Sequence, residues 1–152
     1  MPRINETLLP PPIETLTVAY LTPLLGGLRI LTRMPPQNKK QDTPAADTYI
    51  RVASSTGHPM SDNILYNAQV ILHSCAPYNQ EVTAEQNIGL ALAWMGNAQG
   101  TTITTGDYNW FITYSEISST GHRMADPETP LTHYRGAAQW RIMGQPIAPP
   151  AD

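Results

Sequence analysis

Two near-identical nonapeptides carry the residue types most able to do chemistry. Ser54-Ser55-Thr56-Gly57-His58-Pro59-Met60-Ser61-Asp62 recurs as Ser118-Ser119-Thr120-Gly121-His122-Arg123-Met124-Ala125-Asp126, identical at seven of nine positions. Each copy offers one imidazole and one carboxylate, so the pair holds the ligand types of a His/Asp metal site. Neither copy has the short ligand spacing of a helix or hairpin site, and each follows one expected strand and precedes another. The same residues suit two hairpin connections, with Gly in the left-handed position and Asp or Ser closing the turn. The turn reading is the simpler one, and it has the two hairpins present equivalent loops from one edge of the domain.

Other routes to catalysis are thinly supported. The chain holds no Gly-x-Ser-x-Gly elbow and no phosphate-cradling glycine loop. Ser55, His58 and Asp62 form a close Ser/His/Asp group, and it lies inside the repeated turn. A single cysteine, Cys75, excludes a disulfide framework or a cysteine-built metal centre within one chain. It reads as a small hydrophobe at a strand end, with His73 expected across the pleat from it. Lys39-Lys40 reads as a solvated loop tip. Trp94, Trp110 and Trp140 read as core or subunit contacts, since no basic side chains are interleaved with them. The expectation is a protein that is not an enzyme, with no catalytic residue, no cofactor and no metal.

Composition agrees with that outlook. A formal charge of −3 with 14% charged residues gives little of the Lys and Arg density from which nucleic-acid affinity is drawn. The longest apolar run, Ile13 to Leu25, is interrupted by three threonines and Pro23 and is too short for about 30 Å of hydrocarbon. A soluble, intracellularly made protein is expected, forming a single domain over residues 1–152. Its core is expected at about 12–145, with an extended lead over 1–11 and an extended tail over 146–152.

The elements that must position these residues follow from hydrophobic period. Pro10-Pro11-Pro12 introduces a helix with Ile13, Leu16, Tyr20, Leu21 and Leu24 on one stripe, which Pro23 should kink or end. Leu28 to Met34 and Thr48 to Ala53 read as strands, the second with Ile50 and Val52 inward and Tyr49 and Arg51 outward. Between them Pro35 to Pro44 is a polar loop, longer than most hairpin connections. From Ile64 to His73 the chain alternates, with Ile64, Tyr66, Ala68, Val70 and Leu72 on one side and Leu65, Asn67, Gln69, Ile71 and His73 on the other.

Beyond Pro77 the period becomes helical, with Ala84, Ile88, Ala91, Leu92 and Met95 on one stripe and Gly96 as the stop. Asn79, or Thr83 with Gln86, would cap this helix. Gly100 to Asp107 is threonine-rich and turn-like at both ends. Trp110 to Glu116 and His133 to Met143 are further strands, Trp110, Ile112, Tyr114 and Glu116 sharing one face of the first. The fold class expected is α+β: a mostly antiparallel sheet of about five strands with two helices, near 12–25 and 80–96, packed on one face.

This order of elements resembles the tail terminator proteins of bacteriophages with long non-contractile tails, particularly phages of actinobacteria. The resemblance is carried by Ile13-Glu14-Thr15-Leu16-Thr17-Val18-Ala19-Tyr20-Leu21, Thr32-Arg33-Met34-Pro35 and Tyr49-Ile50-Arg51-Val52. It continues through Asp62 to His73, Glu81 to Met95, Ala125-Asp126-Pro127 and Thr132-His133-Tyr134-Arg135, and so spans nearly the whole chain. It implies a structural virion protein that assembles in the host cytoplasm and works at the tail-neck junction. It further implies a homohexameric ring that caps the tail tube protein and offers a docking surface to the head-tail stopper or connector. Genomic DNA would pass through the lumen without specific binding, and no membrane is involved.

A ring-to-ring contact is expected in the polar loop, at Gln37, Asn38, Lys39, Lys40, Gln41 and Asp42. Alternative readings are a head-tail stopper or other neck ring, a monomeric α+β binding module, and a small His/Asp metalloenzyme.

Overall fold

The fold was obtained as a computed structural model, which describes residues 8–33, 48–54, 58–59, 65–124 and 131–146. Among these residues the fold is α+β, with a mixed sheet of six strands in line, a short seventh strand beside them, and two helices. In chain order the elements are β1 (Leu8–Leu9), α1 (Ile13–Leu21), β2 (Arg29–Leu31), β3 (Tyr49–Ser54), β4 (His58–Pro59) and β5 (Leu65–Pro77). They continue with α2 (Glu81–Gly96), β6 (Thr102–Thr105), β7 (Tyr108–Met124), β8 (Leu131–Met143) and β9 (Gln145–Pro146). The main sheet has the order β2-β3-β5-β8-β7-β6, with β4 joined to β5, and β1 pairs with β9 in a separate two-residue ladder.

The sheet is antiparallel except where β2 runs parallel to β3. Its centre is the long β5–β8 pairing, from Leu65 opposite Met143 to Pro77 opposite Leu131. Period two holds through both strands. Tyr66, Ala68, Val70 and Leu72 of β5, and Ala138, Trp140 and Ile142 of β8, are buried beneath the helices.

Both helices lie on this one face. Tyr20 of α1 sets its ring edge-on to Trp140 at 5.5 Å and donates its hydroxyl proton to the Trp94 carbonyl of α2 at 2.7 Å. Ile13, Leu16 and Leu21 join Ile88, Leu92 and Met95 in a single core with Ile50, Val52, Trp110 and Ile112. α1 ends at Leu21, two residues before Pro23, which has no N–H to continue the ladder. The C-terminus of α2 is satisfied by its neighbours. The carbonyls of Trp94, Met95 and Gly96 accept from Tyr20 Oη, Trp140 Nε1 and Ser115 Oγ at 2.7, 2.9 and 2.8 Å. Last-turn carbonyls have no partner within their own helix, and three other elements supply donors here.

Several expectations need correction. The N-cap of α2 is Gln80, with no side-chain hydrogen bond, and neither Asn79 nor Thr83 fills that role. A turn closed by Gln80 N to Pro77 O at 2.8 Å fixes the entry, and Thr132 holds the Tyr78 carbonyl. Gly100 to Asp107 contains a sixth strand, β6, which forms a hairpin with β7 around Gly106 at φ +57°. The turn-like ends are present, with Gly100 and Gly106 both at positive φ, and the β-branched Thr102, Ile103, Thr104 and Thr105 between them are good strand formers to which no strand was assigned.

In β7 the alternation is broken between Ile112 and Tyr114, where two residues on β7 oppose one on β8. Thr113 Oγ1 donates to the Arg141 carbonyl at this bulge. The extra residue turns Tyr114 and Glu116 to the open face and brings Ser115 into the core.

Candidate functional site

The sheet face opposite the helices bears the chemistry-bearing side chains that the fold brings together. Period two along β5 and β8 sends Asn67, Gln69, Ile71, His73 and Cys75, and His133, Arg135, Ala137, Gln139 and Arg141, to this side. Tyr49, Cys75 and His133 form one rung across β3, β5 and β8. Tyr49 faces away from the helices as expected, yet it is 1% exposed. His73 and Cys75 are two residues apart and therefore share a face. The expectation that His73 lies across the pleat from the cysteine is thus wrong by simple strand geometry.

The two histidines meet. His73 Nδ1 lies 2.7 Å from His133 Nε2, a diagonal cross-strand contact in which one ring donates and the other accepts. The His73 pKa is pushed down to about 4, first by burial and then by the charges of Arg51, His133 and Arg135. Burial likewise pushes the Cys75 thiol up, outweighing the opposing effects of the Tyr49 hydroxyl and Arg51. At neutral pH this arrangement presents neutral imidazole and a protonated thiol, which is a poor nucleophile. Farther along, Arg141 donates from Nε to Asn67 Oδ1 at 3.1 Å and lies over the Tyr114 ring, whose hydroxyl donates to Glu116.

The repeated nonapeptides do not make two equivalent turns. Ser118 to Met124 continue β7, paired with β8 through Ser119 opposite Ala137, His122 opposite Arg135 and Met124 opposite His133. Gly121 is not in the left-handed region. It stands where an added Cβ would come within 2.6 Å of Ile88 Cγ2, so its lack of a side chain admits α2 rather than a turn. In the first copy Ser54 ends β3 and His58–Pro59 form β4, while Ser55, Asp62 and, in the second copy, Asp126 lie outside the described residues. His122 is exposed on β7. Among the described residues, no group of three or more His, Cys, Asp or Glu is placed to hold a metal ion. Gln37, Asn38, Lys39, Lys40, Gln41 and Asp42 also lie outside the described residues.

A second surface is the outward side of α2. Val82, Leu90 and Trp94 are 66%, 55% and 38% exposed there, and Tyr78 just before the helix is 73% exposed. Gly89, on the same side, has nothing within 4 Å of its would-be Cβ. α2 is therefore apolar on both sides, one facing the sheet and one without a partner among the described residues. Trp110 and Trp140 are core, whereas Trp94 belongs to this outer surface. Among the described residues no helix is long and apolar enough to cross a membrane.

The His73–His133 pair was not found from sequence. Period two places each residue on an outward face, but only the β5–β8 register brings them together. No protein-family model matches the chain, and no characterised protein matches it in sequence.

Proposed function

We propose that this protein is a structural virion component, a tail terminator that closes into a homohexameric ring. The ring caps the tail tube, stops its polymerisation and receives the head-side connector. The observation that carries the reading is the outward face of α2, where Val82, Leu90 and Trp94 stand in solvent beside Gly89. Such side chains on a 16-residue helix whose other stripe is already core argue for a protein neighbour. A ring is built from heterologous contacts between two different surfaces of one chain. The helix layer and the open sheet face are two such surfaces, and the order of elements expected from the sequence resembles that of tail terminators.

A terminator must match the tube on one side and mismatch itself on the other, or stacking would continue. Residues 37–42 are proposed to serve ring-to-ring docking, with hydrogen-bonding groups and almost no apolar area. The test is polymerisation of the tail tube protein encoded with this chain, with the two mixed at increasing ratio. Tubes whose length shortens with added protein and whose ends bear a cap support the reading. Unchanged tube length, with binding instead to the head-side adaptor, makes the protein the stopper of the same neck.

A further inference from the structure

One rung of the open sheet face runs Arg51, His73, Arg135 and His122 across β3, β5, β8 and β7. Neighbouring strands are about 4.8 Å apart, so the two arginine backbones stand roughly 10 Å apart with His73 between them. Two guanidinium groups on flexible stems can close that distance over a single small ligand. His133, bonded to His73, fills the adjoining rung.

Three observations mark this place as one that receives a negative group. First, Arg51 Nε is buried with no hydrogen-bond partner. A buried charged donor without an acceptor is costly and rare, so it points to an acceptor supplied from outside. Second, among the described residues neither Arg51 nor Arg135 has a carboxylate partner, whereas Arg123 is paired with Glu81 at 2.8 Å. Third, Glu116, a carboxylate on the same face, is held by Tyr114 and stands opposite Gln139, four residues along β8 from Arg135. The rung therefore holds like charges about an imidazole pair with nothing described to neutralise them.

We propose that Arg51 and Arg135, set astride the His73–His133 pair, form a receptor for one oxyanion of carboxylate or phosphate type. Guanidinium groups match such oxyanions in geometry and charge, each offering two parallel N–H donors. The groups facing His73 are Arg51 from β3, Arg135 and His133 from β8, and Cys75 on its own strand, with His122 next along the rung. An anion between the arginines offsets the repulsion that opposes protonation of His73. The ligand can arrive as free phosphate or as a carboxylate of a second copy, and the site does not depend on ring formation.

The test follows the histidine rings of the full-length protein by NMR as pH is varied. It compares chloride, inorganic phosphate and acetate at one ionic strength, and several protein concentrations. A saturable rise of the His73 pKa from about 4 with phosphate or acetate in dilute protein supports the proposal and assigns the site to a free oxyanion. A rise that instead follows protein concentration supports it and assigns the acceptor to a second copy. Arg51→Gln and Arg135→Gln should each raise the His73 pKa without added anion and weaken the anion response at least tenfold. Far-UV circular dichroism checks that the variants fold, and calorimetric titration of phosphate into wild type at pH 7 covers the range where acid would unfold the chain. Failure of His73 to respond to either anion or to concentration, with no heat at pH 7, overturns the proposal. So does an undiminished response in both variants.

Discussion

A methyl group added at residue 136 measures how closely α2 is pressed onto the sheet. An ideal Cβ on Gly136 would lie 2.5 Å from Leu92 Cδ1, 3.3 Å from Leu92 Cδ2 and 3.2 Å from the Ser119 carbonyl oxygen. The backbone there is not left-handed, so the cost of Gly136→Ala is steric, an overpacking penalty of about 1–3 kcal/mol. Leu92 is 3% exposed, and Leu92→Ala alone should cost roughly 2–5 kcal/mol through lost burial and the cavity left behind. In the double variant the clash with Leu92 is gone and the new methyl occupies part of the space. Its destabilisation should fall near that of Leu92→Ala alone, a coupling of roughly 1–3 kcal/mol. Urea unfolding followed by far-UV circular dichroism reads all four proteins, with equal m-values required for the comparison. Destabilisations that add to within about 0.5 kcal/mol, or a neutral Gly136→Ala, would refute the packing described for β8 and α2.

Other outcomes follow from the same geometry. Trp140→Phe leaves the Met95 carbonyl without its donor and should cost about 1–3 kcal/mol, seen as a lower thermal midpoint, whereas an unchanged midpoint removes that bond from the account. His73 takes up its proton near 6.5 in the unfolded chain but only near 4 in the folded one. The unfolded state therefore binds more protons between those values, and stability falls as pH is lowered through that window. His73→Gln should flatten this part of the plot of midpoint against pH, and an identical slope would contradict it. Leu90→Asp should break the proposed self-association while leaving the monomer folded, checked by light scattering and far-UV circular dichroism. Replacing residues 37–43 by a Gly-Ser linker should leave the ring closed and weaken docking to the neighbouring ring, checked by tail length and head joining.

The two-layer plan was legible because its signals are local and periodic. The inward faces of β5 and β8, the buried stripe of α2 and the stop at Pro23 all follow from side-chain alternation or from proline chemistry. What escaped the sequence depends on register. The bulge at Thr113 reverses the faces of Tyr114 and Glu116, and nothing in Trp110 to Glu116 announces the extra residue. The nonapeptide echo misled because Ser, Thr and Gly suit turns, yet in β7 they occupy a strand whose small residues let α2 approach. Gly121 beneath Ile88 and Gly136 beneath Leu92 owe their identity to a helix some thirty to fifty residues away in sequence. The His73–His133 contact and the Arg51–Arg135 rung share that origin, since cross-strand partners sixty or more residues apart carry no sequence signature. The outer apolar side of α2 was present in Val82, Leu90 and Trp94, but the inward stripe alone was read from that helix.

The most direct test of the terminator reading is the mass of the purified, untagged protein by native mass spectrometry, with negative-stain images of the same sample. A closed ring of six copies with a central opening is the expected result, lost in Leu90→Asp. A monomer at all concentrations up to those used for imaging, or an isologous dimer with no opening, would contradict it.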